Sequence, residues 1–147
     1  MDNLINGYKV YLASNFALYL KTHNAHWNVT GMFFPQLHEL FATQYEDLWA
    51  ATDSIAENIR KLDAFAPGGL AEFKRYTVID DFEGVLPAAG YIERLFMDQE
   101  RMIILINRVF ELAQAENRQD HMNFLADRLD HHSKQRWFLK TLLNSVG

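Results

Sequence analysis

A chain of 147 residues with 49% apolar and 14% aromatic content makes one domain of ordinary size (1–147) with enough apolar mass for a core, which excludes a disordered polymer. It has no cysteine, so disulfides, thiolate metal sites and cysteine nucleophiles are ruled out, and a reducing compartment is consistent with that. A net charge of −5 with no Lys/Arg-rich tail sets the whole-molecule field against nucleic acid; no apolar run is long enough to span a membrane, and the start (MDNLINGYKVYL) does not read as a signal peptide.

The periodicity predicts four long helices. The first runs from about Leu4 to Val29, with Ile5, Tyr8, Leu12, Phe16, Tyr19, Leu20 and Trp27 as its apolar positions, and Gly31 breaks it. The second begins at Pro35, which suits a first helical position because no N–H is needed there. It carries Leu37, Leu40, Phe41, Leu48, Trp49, Ile55 and Ile59, and ends near Leu62. A connection of about twenty residues opens on Ala66-Pro67-Gly68-Gly69, a strong turn signal, and Leu70 to Tyr76 can form a short helix inside it. A connector this long usually carries structure or a function of its own. The third helix runs from Pro87 to about Glu116 (Tyr91, Leu95, Met102, Leu105, Val109, Leu112). The fourth runs from about Gln119 to Ser145 (Met122, Leu125, Leu129, Trp137, Leu142). No segment combines β-branched alternation with hairpin turn residues. The fold class is therefore all-α: a four-helix bundle of ferritin-like type, in which one long crossover joins the second helix to the third.

Metal-ligand residue types concentrate in the first forty per cent of the chain: His26, His38, Asp53 and Glu57. Asp53 and Glu57 are four apart and share a helical face. His26 ends one helix and His38 begins the next, so a tight hairpin brings them together. Carboxylate oxygen with imidazole nitrogen suits Fe, Mn or Zn better than Ca or Mg. An Asp/Glu pair at this spacing equally fits a solvated face, and a histidine beside a tryptophan equally fits a hydrogen-bonded core residue. His38 and Asp53 lie on one helix, separated by roughly 22 Å at 1.5 Å per residue, and cannot hold one ion within one chain. Any site built from all four residues needs a second copy. The usual di-iron bundle carries Glu-x-x-His on each of two helices. No glutamate here fits; Glu39, for instance, is followed by Leu40, Phe41 and Ala42.

The segment Lys21-Thr22-His23-Asn24-Ala25-His26-Trp27-Asn28-Val29-Thr30-Gly31 resembles the signature of the Dps proteins, miniferritins that protect bacterial cells from iron and peroxide. Phe34, Leu37, His38 and Phe41 continue the pattern, Asp53, Ala56 and Glu57 match an Asp-x-x-Ala-Glu element, and Trp137-Phe138-Leu139 resembles the family's last helix. The resemblance covers nearly the whole chain. It implies a dodecameric hollow shell built from two-fold dimers, with a ferroxidase centre at each two-fold interface. His26 and His38 come from one subunit, and Asp53 and Glu57 from its mate. The implied reaction is oxidation of ferrous iron (Fe²⁺ to Fe³⁺) by hydrogen peroxide, or more slowly by oxygen, with ferric mineral stored inside. Imidazole binds metal only when neutral, so uptake should weaken in acid.

The same resemblance places Trp27 beside the centre as an interceptor of oxidising equivalents, with a packed aromatic as the alternative. His23 reads as a surface residue, with an extra ligand as the alternative. Ala42 stands where many members carry an acidic residue, which implies a weaker second iron position. The three-fold pores would be lined by Asp120 and Asp127, although Asn123 occupies one expected aspartate position. Asp130, His131 and His132 read as an exposed face. Twelve copies would carry a net charge of about −60, so strong direct DNA binding is not expected. The expected location is cytoplasmic, with or without association with the nucleoid. The rival readings are a non-catalytic shell that sequesters metal or associates with DNA, and a helical interaction module without metal.

Overall fold

Four long helices follow the four apolar stripes. In the computed structural model, which describes residues 1–146, they are α1 (Asp2–Asn28), α2 (Phe34–Arg60), α4 (Ala88–Ala115) and α5 (Gln119–Val146), with a short α3 (Leu70–Tyr76) in the crossover. No strand occurs among the described residues. The sequence-derived boundaries hold to within a few residues. α2 begins one residue earlier than expected and Pro35 takes its second position, where a missing N–H is still one of the unpaired donors of a first turn.

The directions of the helices explain the crossover. Asn15 of α1 donates from Nδ2 to the Leu48 carbonyl (2.9 Å) and to Thr52 Oγ1 (3.1 Å) of α2, while the other ends of these helices meet at His26 and His38, so the pair is antiparallel. Gly7 lies against Val109 and Leu112 of α4, and Lys21 reaches Asp98 further back along it, so α1 and α4 are antiparallel too. α2 and α4 therefore run parallel, and the chain between them must travel the length of the bundle. It is tied down on the way. Phe73 of α3 packs on Phe16 (4.9 Å between ring centroids), Ile79 is buried, and Ser14 Oγ accepts the Val78 N–H (3.0 Å).

The core is built from Tyr8, Tyr11, Phe41 and Tyr91 with Leu, Ile and Val from all four long helices. A Cβ at Gly7 would come within 3.0 Å of Leu112 Cδ1, so the glycine sets how closely α1 and α4 approach. The end of α4 is closed by its own local chemistry. At the end of α4, Asn117 takes φ 55°, the Asn117 N–H reaches the Gln114 carbonyl (3.0 Å), and the Arg118 N–H reaches that of Ala113 (3.0 Å). This is a Schellman cap with asparagine at the left-handed position, a conformation that asparagine tolerates better than most residues.

Two buried charge pairs cross the bundle. Lys21 meets Asp98 at 2.8 Å, with Arg101 on the other carboxylate oxygen at 3.2 Å. Burial pushes the Asp98 carboxyl up against the pull of both cations. Arg128 of α5 grips Asp47 of α2 in a two-pronged pair (3.1 and 2.8 Å), and His131 Nδ1 adds a third contact to the same carboxylate (2.8 Å). These partners hold Asp47 below its ordinary range although burial opposes them. Three expectations change here. His132 is buried, not on an exposed face, with Nδ1 2.6 Å from Gln99 Oε1, and burial lowers its pKa to about 3. His131 leans onto Asp47, leaving Asp130 as the freely exposed member of that trio. Trp49 and Trp137, assigned to apolar stripes, are 58% and 61% exposed, because each stripe is wider than the part of the helix that the bundle covers.

Candidate metal centre

The α1–α2 turn brings two imidazoles into contact. Gly31 (φ +107°) reverses the chain where an L side chain would be strained, its carbonyl accepts the Phe34 N–H (3.1 Å), and Val29 is buried beneath it. His26 in the last turn of α1 and His38 near the start of α2 then stack, with ring centroids 3.6 Å apart and planes 16° off parallel.

Each ring is fixed by the backbone of the other. His26 Nδ1 lies 2.6 Å from the His38 carbonyl, and His38 Nδ1 lies 2.7 Å from the His26 carbonyl. A carbonyl oxygen only accepts, so both Nδ1 atoms donate, and Nε2 is the ring nitrogen that carries the lone pair when the imidazoles bind a metal. The His26 carbonyl is in the last turn of α1, where helical carbonyls lack an internal partner, so the His38 bond also serves as a cap. Donation from one ring nitrogen to a carbonyl is the usual way a ligating histidine is held.

Asp53 and Glu57 are exposed on α2, on a stripe with Glu39, Thr43, Glu46 and Ala50 at spacings of three and four. Among the described residues no helix covers that stripe. Among the described residues no three His, Asp or Glu side chains converge where a metal could sit. Of the four sequence-predicted ligands, the structure thus brings His26 and His38 together and leaves the two carboxylates apart from them, facing outward.

Around the pair is an aromatic group in which Tyr45 is the member the sequence reading overlooked. His23 is half-buried, contrary to its assignment to the surface. It stacks on Tyr45 (3.9 Å, 11°), lies 4.1 Å from the Trp27 ring, and its Nδ1 is 2.9 Å from Tyr19 Oη. Burial and the neighbouring His26 push its pKa down, so it is neutral at neutral pH. Trp27 itself is 57% exposed. Helical spacing could have revealed this group: positions 19, 23 and 26 share a face of α1, and Tyr45 lies two turns beyond His38 on α2.

The two aspartates assigned to a pore are both exposed on α5. Arg118 grips Asp120 with both prongs (3.2 and 3.1 Å) and lowers its pKa to about 2, so the carboxylate is ionised and already paired with a cation. Asp127 keeps its carboxylate in solvent, 3.7 Å from His131 Nε2. Nothing in a single chain places either residue around a three-fold axis.

A family model described as a ferritin-like domain matches residues 10–146. The low temperature-induced protein all0458 of Nostoc sp. is 30% identical over 134 residues, 90% of this chain and 75% of that protein. DNA protection during starvation protein 2 of Bacillus anthracis is 28% identical over 127 residues, 86% of this chain and 87% of that one. Among solved structures, antigen TpF1 from Treponema pallidum superposes with a TM-score of 0.93 at 26% identity, covering 97% of this chain and 92% of that one. Dps from Thermosynechococcus elongatus does so with 0.94 at 25% identity, covering 97% and 90%.

Proposed function

The chain belongs to the ferritin-like family, within its Dps miniferritin branch, and from that premise we propose that it oxidises ferrous iron at centres shared between two subunits and stores the ferric product in a hollow dodecamer. The observation that carries this reading is the reciprocal lock of His26 and His38. It engages both Nδ1 atoms and leaves the two Nε2 atoms of the stacked rings as the nitrogens available to a metal. The matching donors, Asp53 and Glu57, sit on the outward stripe of α2 about four turns away.

A two-fold axis resolves the mismatch. When two α2 helices pack antiparallel along that stripe, His38 of one subunit lies opposite Asp53 and Glu57 of the other, and by symmetry the arrangement occurs twice. Two nitrogens and two carboxylates suit ferrous iron, balance its two positive charges, and leave coordination positions for an oxidant. Ala42 offers no donor on this face, so one iron position is expected to be firm and a second weak. The oxidant is hydrogen peroxide, with oxygen slower. Removing ferrous iron and peroxide together protects DNA and cell without requiring the shell to hold DNA, which a net charge of −5 per subunit opposes. Iron would enter past Asp127 rather than Asp120, whose charge Arg118 already satisfies.

Ferric absorbance after adding ferrous iron and peroxide tests the reading. Wild-type shells should oxidise iron quickly, and His38→Ala and Asp53→Ala should each fall to the uncatalysed rate. Equal rates in all three would leave a non-catalytic, metal-sequestering shell as the better account. No helix among the described residues is long and apolar enough to cross a membrane.

A further inference from the structure

α4 turns a basic and apolar stripe away from the bundle. Its three basic residues, Arg94, Arg101 and Arg108, are spaced by seven and exposed, so all of its positive charge falls on one line about 21 Å long. Met97 and Ile104 stand between them at the same repeat, and Ile104 is 71% exposed. The arginines are weakly engaged. Arg101 touches Asp98 at 3.2 Å, Arg108 reaches Glu111 only at 3.7 Å, and among the described residues Arg94 pairs with no carboxylate. Asp80, Asp81 and Glu83 of the crossover share a cleft with Arg94 and Arg101 but form no ion pair with them. Along the stripe, Val78, Ile104 and Leu105 line a groove of about 420 Å³ together with Arg101 and Arg108.

We propose that this stripe docks a helix of another protein, one that carries carboxylates at seven-residue intervals with apolar residues between them. Charged and apolar positions alternating at heptad spacing form one half of a coiled-coil seam. The partner's carboxylates meet the arginines, and its apolar side chains cover Met97 and Ile104 and enter the groove beside Val78. A phosphate backbone would use the arginines but leave the apolar residues in water, and a net charge of −5 opposes it. The chain has a matching acidic line of its own on α2, Glu39, Glu46 and Asp53, also spaced by seven. The ferroxidase reading above commits that line to the two-fold interface, and on that reading the docked helix belongs to a different protein. α2 and α4 are each packed by α1 and α5 and occupy opposite corners of the bundle, so a dimer closed along α2 leaves the α4 stripe open.

The probe is a fluorescein-labelled synthetic peptide of about three heptads, with Glu at one position of each heptad and Leu three residues later. Its anisotropy is read on assembled shells, beside a scrambled peptide of the same composition and a short DNA duplex. Wild-type shells should bind the heptad peptide in preference to both. Arg94→Glu/Arg108→Glu should weaken that binding by about tenfold or more and take up instead the peptide with Lys in place of Glu. Arg101 stays in place because it supports the buried Asp98. Ile104→Gln should weaken binding with every charge intact. Equal binding of the scrambled peptide or the duplex would overturn the proposal, as would failure of the charge exchange. Light scattering that shows Arg94→Glu/Arg108→Glu shells falling apart would make the stripe a contact between subunits, and the proposal would fall. In each case the ferroxidase reading stands. If instead His38→Ala oxidises iron as fast as wild type, that reading fails, and the assignment of the docked helix to a different protein fails with it.

Discussion

If His26 and His38 serve one centre together with the carboxylates of the other subunit, two inactive variants should repair each other in a predictable proportion. A His38→Ala subunit keeps intact carboxylates, and an Asp53→Ala subunit keeps an intact imidazole pair. Co-expressed in equal amounts, they pair at random, so about half of the two-fold dimers are mixed. Each mixed dimer has one centre with all four ligands and one that lacks both mutated groups. The mixture should therefore recover about one quarter of the wild-type number of working centres, from parents that have none. Initial rates of ferric absorbance at saturating peroxide read this directly. Pairing His26→Ala with His38→Ala is the control: both positions belong to the same half-site, so every centre in a mixed dimer is damaged and no recovery is expected. A His38/Asp53 mixture no faster than its parents, or recovery in the His26/His38 control, would refute the shared centre.

Other consequences follow from individual contacts. Asp47→Ala leaves the Arg128 guanidinium, 6% exposed, without its carboxylate, and should cost about 3 kcal/mol in urea unfolding at fixed subunit concentration. Acid should destabilise the fold before carboxylates titrate. His132 and His121 are held neutral by burial, so below about pH 6.5 the unfolded chain binds protons that the folded one refuses. Stability should be flat above pH 7 and fall by about 1.4 kcal/mol per pH unit on account of His132 as pH drops toward 4, with His121 adding in the same direction, and His132→Gln should flatten the slope. Below pH 4 the loss of the Asp47 pair adds to the fall, since its lowered pKa contributes stability only while the carboxylate is ionised. Asn117→Ala should cost about 1 kcal/mol through left-handed strain, and Asn117→Gly should not. In low-salt gel shifts without added metal, intact shells should leave duplex DNA unretarded; tight complexes would contradict the charge argument.

The histidine pair was legible in the sequence because its cause is local. Gly31 and Pro35 limit the turn to a few residues, and a short hairpin leaves the ends of two helices nowhere to go but side by side. The separation of His38 from Asp53 was legible for an equally simple reason, the fixed rise of a helix. The aromatic group around His23 was harder to read. Its members are individually ordinary, and two helices must be set at the correct rotation before Tyr45 covers His23. His132 escaped for a related reason. Three polar residues in a row, Asp130, His131 and His132, suggest a solvated face, but successive residues on a helix point about 100° apart, and the third turns into the core.

The sequence alone determined the number, length and order of the helices, because apolar periodicity and turn residues act over a few residues at a time. It also determined that one chain cannot close a four-ligand site. Tertiary structure decided how the helices rotate about their own axes, and therefore which groups meet. It placed the two imidazoles ring to ring with each Nδ1 on the other's carbonyl, joined Asp47 to Arg128 and His131, put Tyr19 against His23, and left the carboxylate stripe of α2 facing outward. These outcomes depend on packing four helices together at once, and rotation by one residue's turn would change every one of them.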